Sequence, residues 1–506
     1  MDVKDIFSYN WSYLLPEFTI LGFATVLSIV DLIAGKRLNR TIMGWLSLLG
    51  VLIAGYFIVS NVTSLKEPVI YMADMMRVDH FGSAFKLILF AGVAFALLMS
   101  ISYIKKTDEV VHFGEFYYLM LMGLVGCMVM ASSADLITLF VGLELLSLAS
   151  YIMVGMRKKR TDSNESAFKY VVAGGIATAV TLFGMSYLYG FSGTTNLYEM
   201  TQRLSEAYQS GFGPMILIGF VFLVAGLTFK ISAVPNHMWA PDVYQGAATP
   251  VTAFLAVVSK GAGFALLIRV MILSFAGLFN QETNQSVFGG MLWLLSIVAG
   301  LSMIVGNTLA LRQKNVKRLM AYSGIAQAGY LLVPLVILHQ TFFFEQIIFY
   351  LVAYLMMAFG AFALIMVVTE DRKTQDIKAF AGLYHRSPLA AVAMTLFLLS
   401  LAGIPISAGF FGKFYIFLSA IGSGSFWLAG IMLATSVVSY YYYFGIIRQM
   451  YMRAGETEET LRLPIGVTII VVLAALGTFV FGLVPEVLIQ YIHTHFNPMF
   501  NWGDML

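Results

Sequence analysis

Long apolar runs, separated by short polar segments, set the pattern of this chain. Many long stretches contain no Asp, Glu, Lys or Arg, and other apolar runs are interrupted by a single charge. Charge-free stretches include 41–65, 87–104, 170–198, 283–311, 319–344, 346–369 and 414–447. Because about 20 mainly apolar residues cross a bilayer, the pattern predicts an all-α polytopic membrane protein. We expect about 14 transmembrane helices, the first at about 14–34.

The composition supports the same class of protein. Of the 506 residues, 59% are hydrophobic and 11% are charged, whereas a soluble domain carries about 25% charged residues. This excludes an ordinary soluble enzyme, a disordered chain and a coiled coil. The chain has one cysteine, Cys127, and an iron–sulfur cluster needs about four thiolates. We therefore expect no redox centre, no metal site and no cofactor-binding motif in this chain.

The basic residues predict how the chain is oriented. Twenty of the 30 Lys and Arg residues fall in alternate loops and four fall in the other loops. Since cytoplasmic loops are rich in Lys and Arg, this asymmetry predicts 14 spans with both termini on the outer side. Two further basic residues, Lys86 and Arg269, lie near predicted span ends. We expect both to extend their charged ends towards the membrane surface.

Four charged residues lie well inside predicted spans. Glu144, Lys230, Lys260 and Lys413 each have about ten apolar residues on at least one side, and a charge at a helix centre costs about 3 kcal/mol on insertion scales. They must therefore face water, protein or one another. A buried lysine with a movable carboxylate partner is a switchable proton site. Lys169, at the start of the sixth span, is equally compatible with a structural role.

Helix-breaking residues accompany two of these lysines. Lys230 is followed by Pro235 and Pro241, and Lys413 is preceded by Gly403 and Pro405. Paired broken spans mark the ion pathway of inverted-repeat transporters. The breaks fall in spans 7 and 12, five spans apart, so the two helices run in opposite directions. We therefore predict two inverted five-helix repeats, spans 4–8 and 9–13, with broken helices 7 and 12.

This repeat predicts four segments of the chain. They are an N-terminal three-helix segment at 1–112, a first repeat at 113–278, a second repeat at 279–455, and a C-terminal helix and tail at 456–506.

Other polar residues allow more than one interpretation. His237 and Asp242 lie in the first break, where they can pass protons or satisfy backbone groups that the break leaves free. Gln327, in the tenth span, can hold a water between the lysines. The four tyrosines at 440–443 are interpreted as an aromatic packing or interface feature.

Four segments together resemble the antiporter-like subunits of respiratory complex I. They are LFVGLELLSLASY (139–151), LTFKISAVPNHMWAPDVYQGAATPV (227–251), KRLMAYSGIAQAGYLL (317–332) and LSLAGIPISAGFFGKFYIF (399–417). The PNHMWAPDVYQGA segment is highly specific for this superfamily. Within it, the chain is most similar to the subunit N family of bacterial NADH-quinone oxidoreductase, which corresponds to subunit 2 in mitochondria. The resemblance covers essentially the whole chain.

This resemblance implies a proton-translocating subunit of NADH-quinone oxidoreductase, in the plasma membrane of a bacterial cell. It implies that FMN, iron–sulfur clusters and quinone are held by partner subunits. The implied partners are the neighbouring antiporter-like and quinone-site membrane subunits, the peripheral redox arm and the lipid bilayer, and no nucleic acid. An alternative from another class is a subunit of a multisubunit sodium/proton antiporter with no redox partner, because the same buried lysines and breaks serve both.

The resemblance also implies roles for single residues. In that family the residues matching Glu144 and Lys230 form an ion pair at the side facing a neighbouring subunit. Lys260 matches the central relay, Lys413 lies towards the exit, and Lys169 matches a further lysine of the sixth span.

The sequence departs from the family pattern at one of these positions. Many subunit N sequences have histidine where this chain has Gln327. A glutamine cannot titrate as an imidazole does, but it can still orient a water.

Overall fold

Almost every described segment of the chain is helical. The computed structural model describes residues 9–34, 40–104, 113–280, 285–337, 342–455 and 459–496. Thirteen helices in these residues are long and apolar enough to cross a membrane, and two shorter apolar helices together form one more span. The prediction of an all-α protein with about 14 spans is confirmed.

The N-terminal part contains three spans, α1 (Leu15–Ala34), α2 (Arg40–Ser64) and α3 (His80–Ile104). A short hairpin of β1 (Val69–Tyr71) and β2 (Met76–Val78) connects α2 to α3. The polar segments at 36–39 and 105–106, used to predict orientation, lie outside the described residues.

Spans 4–8 follow. They are α4 (Phe113–Ser132), α5 (Leu136–Val154), α6 (Thr161–Ser192), the broken span α8 (Gly213–Lys230) and α9 (Trp239–Gly246), and the pair α10 (Thr249–Phe254) and α11 (Lys260–Phe275). The amphipathic helix α7 (Leu197–Ala207) lies between α6 and α8. A π-helical turn at Leu255–Ser259 joins α10 to α11 without interrupting the span.

Spans 9–13 follow a second hairpin, β3 (Phe279–Asn280) and β4 (Gln285–Ser286). They are α12 (Phe288–Ala310), α13 (Val316–Val336), α14 (Phe343–Arg372), the broken span α16 (Pro388–Ala402) and α17 (Ala408–Gly422), and α18 (Phe426–Met452). The short helix α15 (Leu383–Arg386) precedes α16, and α19 (Ile465–Leu483) and α20 (Pro485–Phe496) are the last two described helices. The helices break where the sequence predicted, in spans 7 and 12.

Matching backbone contacts recur in the two sets of five spans. Asp135 caps the N-terminus of α5 and pairs with Asn196, and Asn315 caps α13 and pairs with Asp376. Each residue of the second pair lies 180 residues after its counterpart in the first. Because α5 and α13 are spans 5 and 10, they run in opposite directions, as inverted units require. The segment boundaries given above stay a prediction.

Close helix packing through glycine repeats at the same interval. A Cβ at Gly126 of α4 would lie 2.6 Å from the backbone nitrogen of Leu146 on α5. A Cβ at Gly306 of α12 would lie 2.6 Å from the backbone nitrogen of Ala326 on α13. Glycine lets the backbones of neighbouring membrane helices approach this closely. The first two spans of each unit therefore pack on the same plan.

Lys86 and Arg269 do not extend towards the membrane surface, so that expectation is wrong. The Lys86 ammonium lies 2.5 Å from the Glu17 carboxylate of α1, and Arg269 of α11 lies 2.9 Å from Asp79, just before α3. Both basic side chains are buried. A partner charge offsets the cost of burying each one, and the two pairs join α3 to α1 and to α11.

Candidate functional site

Lys230 is the last residue of α8, directly before the break in the seventh span. Ser232 has a left-handed backbone conformation with a φ of 59°, which ends the helix. The lysine side chain points into the protein and is 4% exposed. Its Nζ donates a hydrogen bond of 3.0 Å to the Ser147 hydroxyl on α5. The break thus places a buried ammonium against a neutral polar group.

Glu144 lies one turn before Ser147 on the same helix and is half-buried. It accepts a hydrogen bond of 2.7 Å from the Thr178 hydroxyl on α6. Among the described residues no ion pair joins Glu144 to Lys230, in contrast to the pair that the family resemblance implied. A cavity of about 10 Å³ touches Ser147, Thr178 and Lys230, and about this volume is needed for one water.

Lys260 begins α11, immediately after the π-helical turn. It is 1% exposed, and its Nζ donates a hydrogen bond of 2.5 Å to the Gly324 carbonyl on α13. The ammonium also lies 5.8 Å from the centre of the Tyr354 ring on α14. Single π-helical turns occur often at functional sites. This one places a charged residue of spans 4–8 against α13, which belongs to spans 9–13.

Lys413 lies on α17, just after the break in the twelfth span. Its Nζ donates hydrogen bonds of 2.8 Å to the Leu401 carbonyl and 3.3 Å to the Ala402 carbonyl. These carbonyls end α16 and form the negative end of its dipole. The ammonium also lies 4.6 Å from the centre of the Tyr330 ring. The break therefore provides a fixed, negatively polarised cradle for this lysine.

Gln327 lies next to Lys413. Its Nε2 donates a hydrogen bond of 3.2 Å to the same Leu401 carbonyl that Lys413 contacts. Its side-chain oxygen accepts a hydrogen bond from the Tyr350 hydroxyl. Gln327 also lies three residues after Gly324, the partner of Lys260, on α13. The glutamine thus shares a carbonyl with Lys413 and lies one turn from the carbonyl that holds Lys260.

Two of the four tyrosines at 440–443 do more than pack. The Tyr443 hydroxyl lies 2.5 Å from the Ser323 hydroxyl, and Tyr442 donates a hydrogen bond of 2.9 Å to Asn307. Both rings are buried, whereas Tyr441 is 74% exposed. The sequence did not indicate this polar network, since four consecutive tyrosines point in different directions around a helix.

Lys169 and His237 lie apart from this network. Lys169 is about half exposed, and its ammonium lies 2.7 Å from both Glu165 and Asp242. The other oxygen of Asp242 pairs with Arg318. His237 Nδ1 lies 3.1 Å from the Pro235 carbonyl, which is the contact expected of a residue that satisfies a backbone group in the break.

A further buried lysine, Lys317, lies at the start of a span, where the sequence pattern places it among the basic residues of a loop. Lys317 begins α13, is 1% exposed, and donates a hydrogen bond of 2.6 Å to the Ala247 carbonyl. Arg157 donates one of 3.4 Å to the neighbouring Gly246 carbonyl. Together they cap the end of α9, where cations are favoured. Both residues line a polar cavity of about 1120 Å³. The sequence indicates this buried lysine only by its position just before a long apolar stretch.

Known proteins resemble this chain along its whole length. The family described as NADH:quinone oxidoreductase/Mrp antiporter, TM matches residues 133–439. A protein of Brevibacillus brevis named NADH-quinone oxidoreductase subunit N is 61% identical over 508 residues, which cover 100% of this chain and 99% of the relative.

Solved structures have the same fold. A chain of respiratory complex I from Thermus thermophilus with bound aureothin superposes with a TM-score of 0.77 at 30% identity, covering 94% of this chain and 99% of that one. A chain of the Mrp complex from Dietzia superposes with a TM-score of 0.83 at 16% identity, covering 98% of this chain and 100% of that one. The likeness to the second chain shows the fold alone.

Proposed function

The chain belongs to the subunit N family of NADH-quinone oxidoreductases, and on that premise we propose that its buried lysines carry protons across the membrane. It is a proton-translocating membrane subunit of that complex, and it assembles with other membrane subunits and the peripheral arm. We place it in the bacterial plasma membrane with both termini outside. FMN, iron–sulfur clusters and quinone belong to the partner subunits, where electron transfer takes place.

The first part of the proposed pathway is a switch. Glu144 is held by Thr178, and a water-sized cavity touches both Thr178 and Lys230. When the carboxylate is close, it stabilises the Lys230 ammonium, and when it moves away that stabilisation is lost. The lysine then releases its proton towards Lys260. The half-buried position of Glu144 leaves it free to respond to a neighbouring subunit.

The second part of the pathway is a relay through the second unit. Lys260 contacts the Gly324 carbonyl, and Gln327 continues from the same helix to the Leu401 carbonyl that holds Lys413. This shared carbonyl is the observation that carries the proposal, because it joins the central lysine's surroundings to the last lysine by direct contacts. Hydroxyl and amide groups can orient waters between the lysines. Lys169 and His237 take supporting roles outside this relay.

The sodium/proton antiporter alternative rests on the fold alone. Buried lysines beside broken helices are compatible with a redox-driven pump and with an antiporter. The 61% identity to a subunit N over the whole chain favours the redox-driven complex. A tagged chain, extracted gently from native membranes, separates the two by its partners and by the spectrum of iron–sulfur centres.

We expect the tagged chain to purify with cluster-bearing and quinone-reducing subunits. The purified complex should oxidise NADH with quinone and acidify sealed vesicles. A complex of membrane subunits alone, with no clusters, would contradict the proposal and point to the antiporter.

A further inference from the structure

A line of polar side chains on α14 leads from the central lysine to the end of the helix opposite the basic loops. Gln346, Tyr350 and Tyr354 are spaced four residues apart and therefore lie on one face. Tyr354 faces Lys260, and Tyr350 donates to Gln327. Gln346 donates a hydrogen bond of 2.5 Å to the Ser419 hydroxyl. All three side chains are buried.

The residue before Gln346 in the sequence is an acid. Glu345 is 2% exposed at its side chain, and its Oε1 lies 2.9 Å from Nδ1 of His493. That histidine belongs to α20 and is 54% exposed at its side chain. A buried carboxylate is therefore in contact with an imidazole that reaches solvent. The sequence also marked Glu345, which is the single charge between the charge-free stretches 319–344 and 346–369.

The last lysine lies on the helix that supplies Ser419. Ser419 follows Lys413 by six residues on α17, about 9 Å along the helix axis. Going from Lys413 to Ser419 and then to Gln346 leads towards Glu345. Glu345 lies at the N-terminal end of α14, and the basic residues begin at the other end, at Arg372. The N-terminal end is therefore the outer end in the orientation that the basic residues predict.

We propose that Glu345 and His493 form the site at which protons leave this chain on the outer side, an inference that rests on the proposed function. The Lys413 ammonium gives up a proton, and a water chain ordered by Ser419 and Gln346 delivers it to the Glu345 carboxylate. Glu345 passes the proton to the neutral His493 imidazole, and His493 releases it to water. Glu345 and His493 thereby return to their starting protonation states, and the neutral Lys413 takes its next proton through the relay from Lys260.

The site is tested in the intact complex, reconstituted in sealed vesicles. The number of protons moved per electron is measured for Glu345→Gln and His493→Gln, together with NADH oxidation in the presence of an uncoupler. His495→Gln is the matched control, because His495 lies two residues further on α20, where its Nδ1 lies 3.0 Å from the Tyr491 carbonyl and its ring stacks on the Tyr491 ring. Glu345→Asp keeps the carboxylate and tests whether its chemistry matters.

We expect Glu345→Gln to lower the proton-to-electron ratio as strongly as Lys413→Met does, with uncoupled electron transfer retained. Glu345→Asp should restore much of the ratio, His493→Gln should lower it, and His495→Gln should leave it unchanged. Because His493 is half exposed on a terminal helix, its variant tests the site even if the Glu345→Gln complex fails to assemble.

Two further outcomes are informative. If Glu345→Gln and His493→Gln both keep the wild-type ratio while Lys413→Met lowers it, the release site is wrong and the proposed function stands. If Lys413→Met also keeps the wild-type ratio, the proton route through this chain is wrong as a whole.

Discussion

Lys230 and Lys413 lie beside the two helix breaks, but their surroundings differ. Lys230 ends the half-helix before its break and contacts one serine hydroxyl, and the small cavity beside it is also lined by Thr178, which holds the half-buried Glu144 carboxylate. Lys413 lies on the half-helix after its break and contacts two backbone carbonyls. One ammonium is therefore held by a single side chain, and the other by backbone groups that the fold fixes.

This difference assigns the two lysines different tasks. A carboxylate that approaches or withdraws changes the stability of a buried charge strongly, because both charges lie in a medium of low polarity. Backbone carbonyls at a helix end supply a constant partial charge of about half an electron. Lys230 is thus suited to respond to an outside signal, and Lys413 to receive and hand on a proton repeatedly under the same conditions.

Removing the fixed lysine should have the largest effect. Lys413→Met leaves the Leu401 and Ala402 carbonyls without their ammonium and takes away a proton carrier, so we expect this chain's contribution to pumping to be lost. Lys413→Arg sharpens the test, since a guanidinium keeps the carbonyl contacts but does not release its proton. Arginine should preserve assembly without pumping. Full pumping in Lys413→Arg, measured as acidification of vesicles, would show that only a charge is needed there.

Removing the movable carboxylate should have the next largest effect. Glu144→Gln keeps the hydrogen bond from Thr178 but loses the negative charge, so Lys230 no longer responds to it. We expect a clear fall in protons moved per electron and a smaller fall in NADH oxidation. Glu165→Gln is the control, because Glu165 is an exposed carboxylate on the neighbouring helix α6. Unchanged pumping in Glu144→Gln would remove the distinction between the two lysines.

A smaller effect is expected at Ser147. A hydrogen bond to a charged group contributes about 1.5–3 kcal/mol, and Ser147→Ala removes the one that Lys230 makes. We expect a slower proton-pumping rate with electron transfer preserved when an uncoupler is present. A loss as large as that of Glu144→Gln would mean that the hydroxyl, rather than the carboxylate, controls Lys230.

The smallest effect is expected at Gln327. Histidine also carries a donor and an acceptor, so Gln327→His should keep contact with the Leu401 carbonyl and retain most pumping. Gln327→Leu cannot make that contact and should pump more slowly. Equal pumping by both variants in sealed vesicles would place the relay elsewhere.

Much of the fold could be predicted from the sequence, because the physics of spanning a bilayer is local. Charge-free stretches indicate spans, and glycine and proline indicate the breaks. Partners across helices could not be predicted in the same way. Lys86 and Arg269 resemble residues at span ends, but Glu17 and Asp79 bind them in the interior, and only the tertiary structure brings those residues together.

The sequence likewise predicts some residues of the candidate site and misses others. Glu144, Lys230, Lys260 and Lys413 stand out because a charge within an apolar run is rare and costly. Tyrosines also serve as packing residues in membrane helices. Composition therefore cannot distinguish the tyrosines that contact the lysines or Gln327 from those that only pack. Lys317 resembles a loop residue in the sequence, because it lies at the first turn of its helix.

The measurement that tests the central claim most directly is the proton-to-electron ratio of the double variant Glu144→Gln, Lys230→Met. If Glu144 acts through Lys230, the two changes remove one function, and the double variant should pump no worse than the more impaired of the two single variants. Independent losses that multiply in the double variant would contradict the account, because the carboxylate would then act on something other than this lysine.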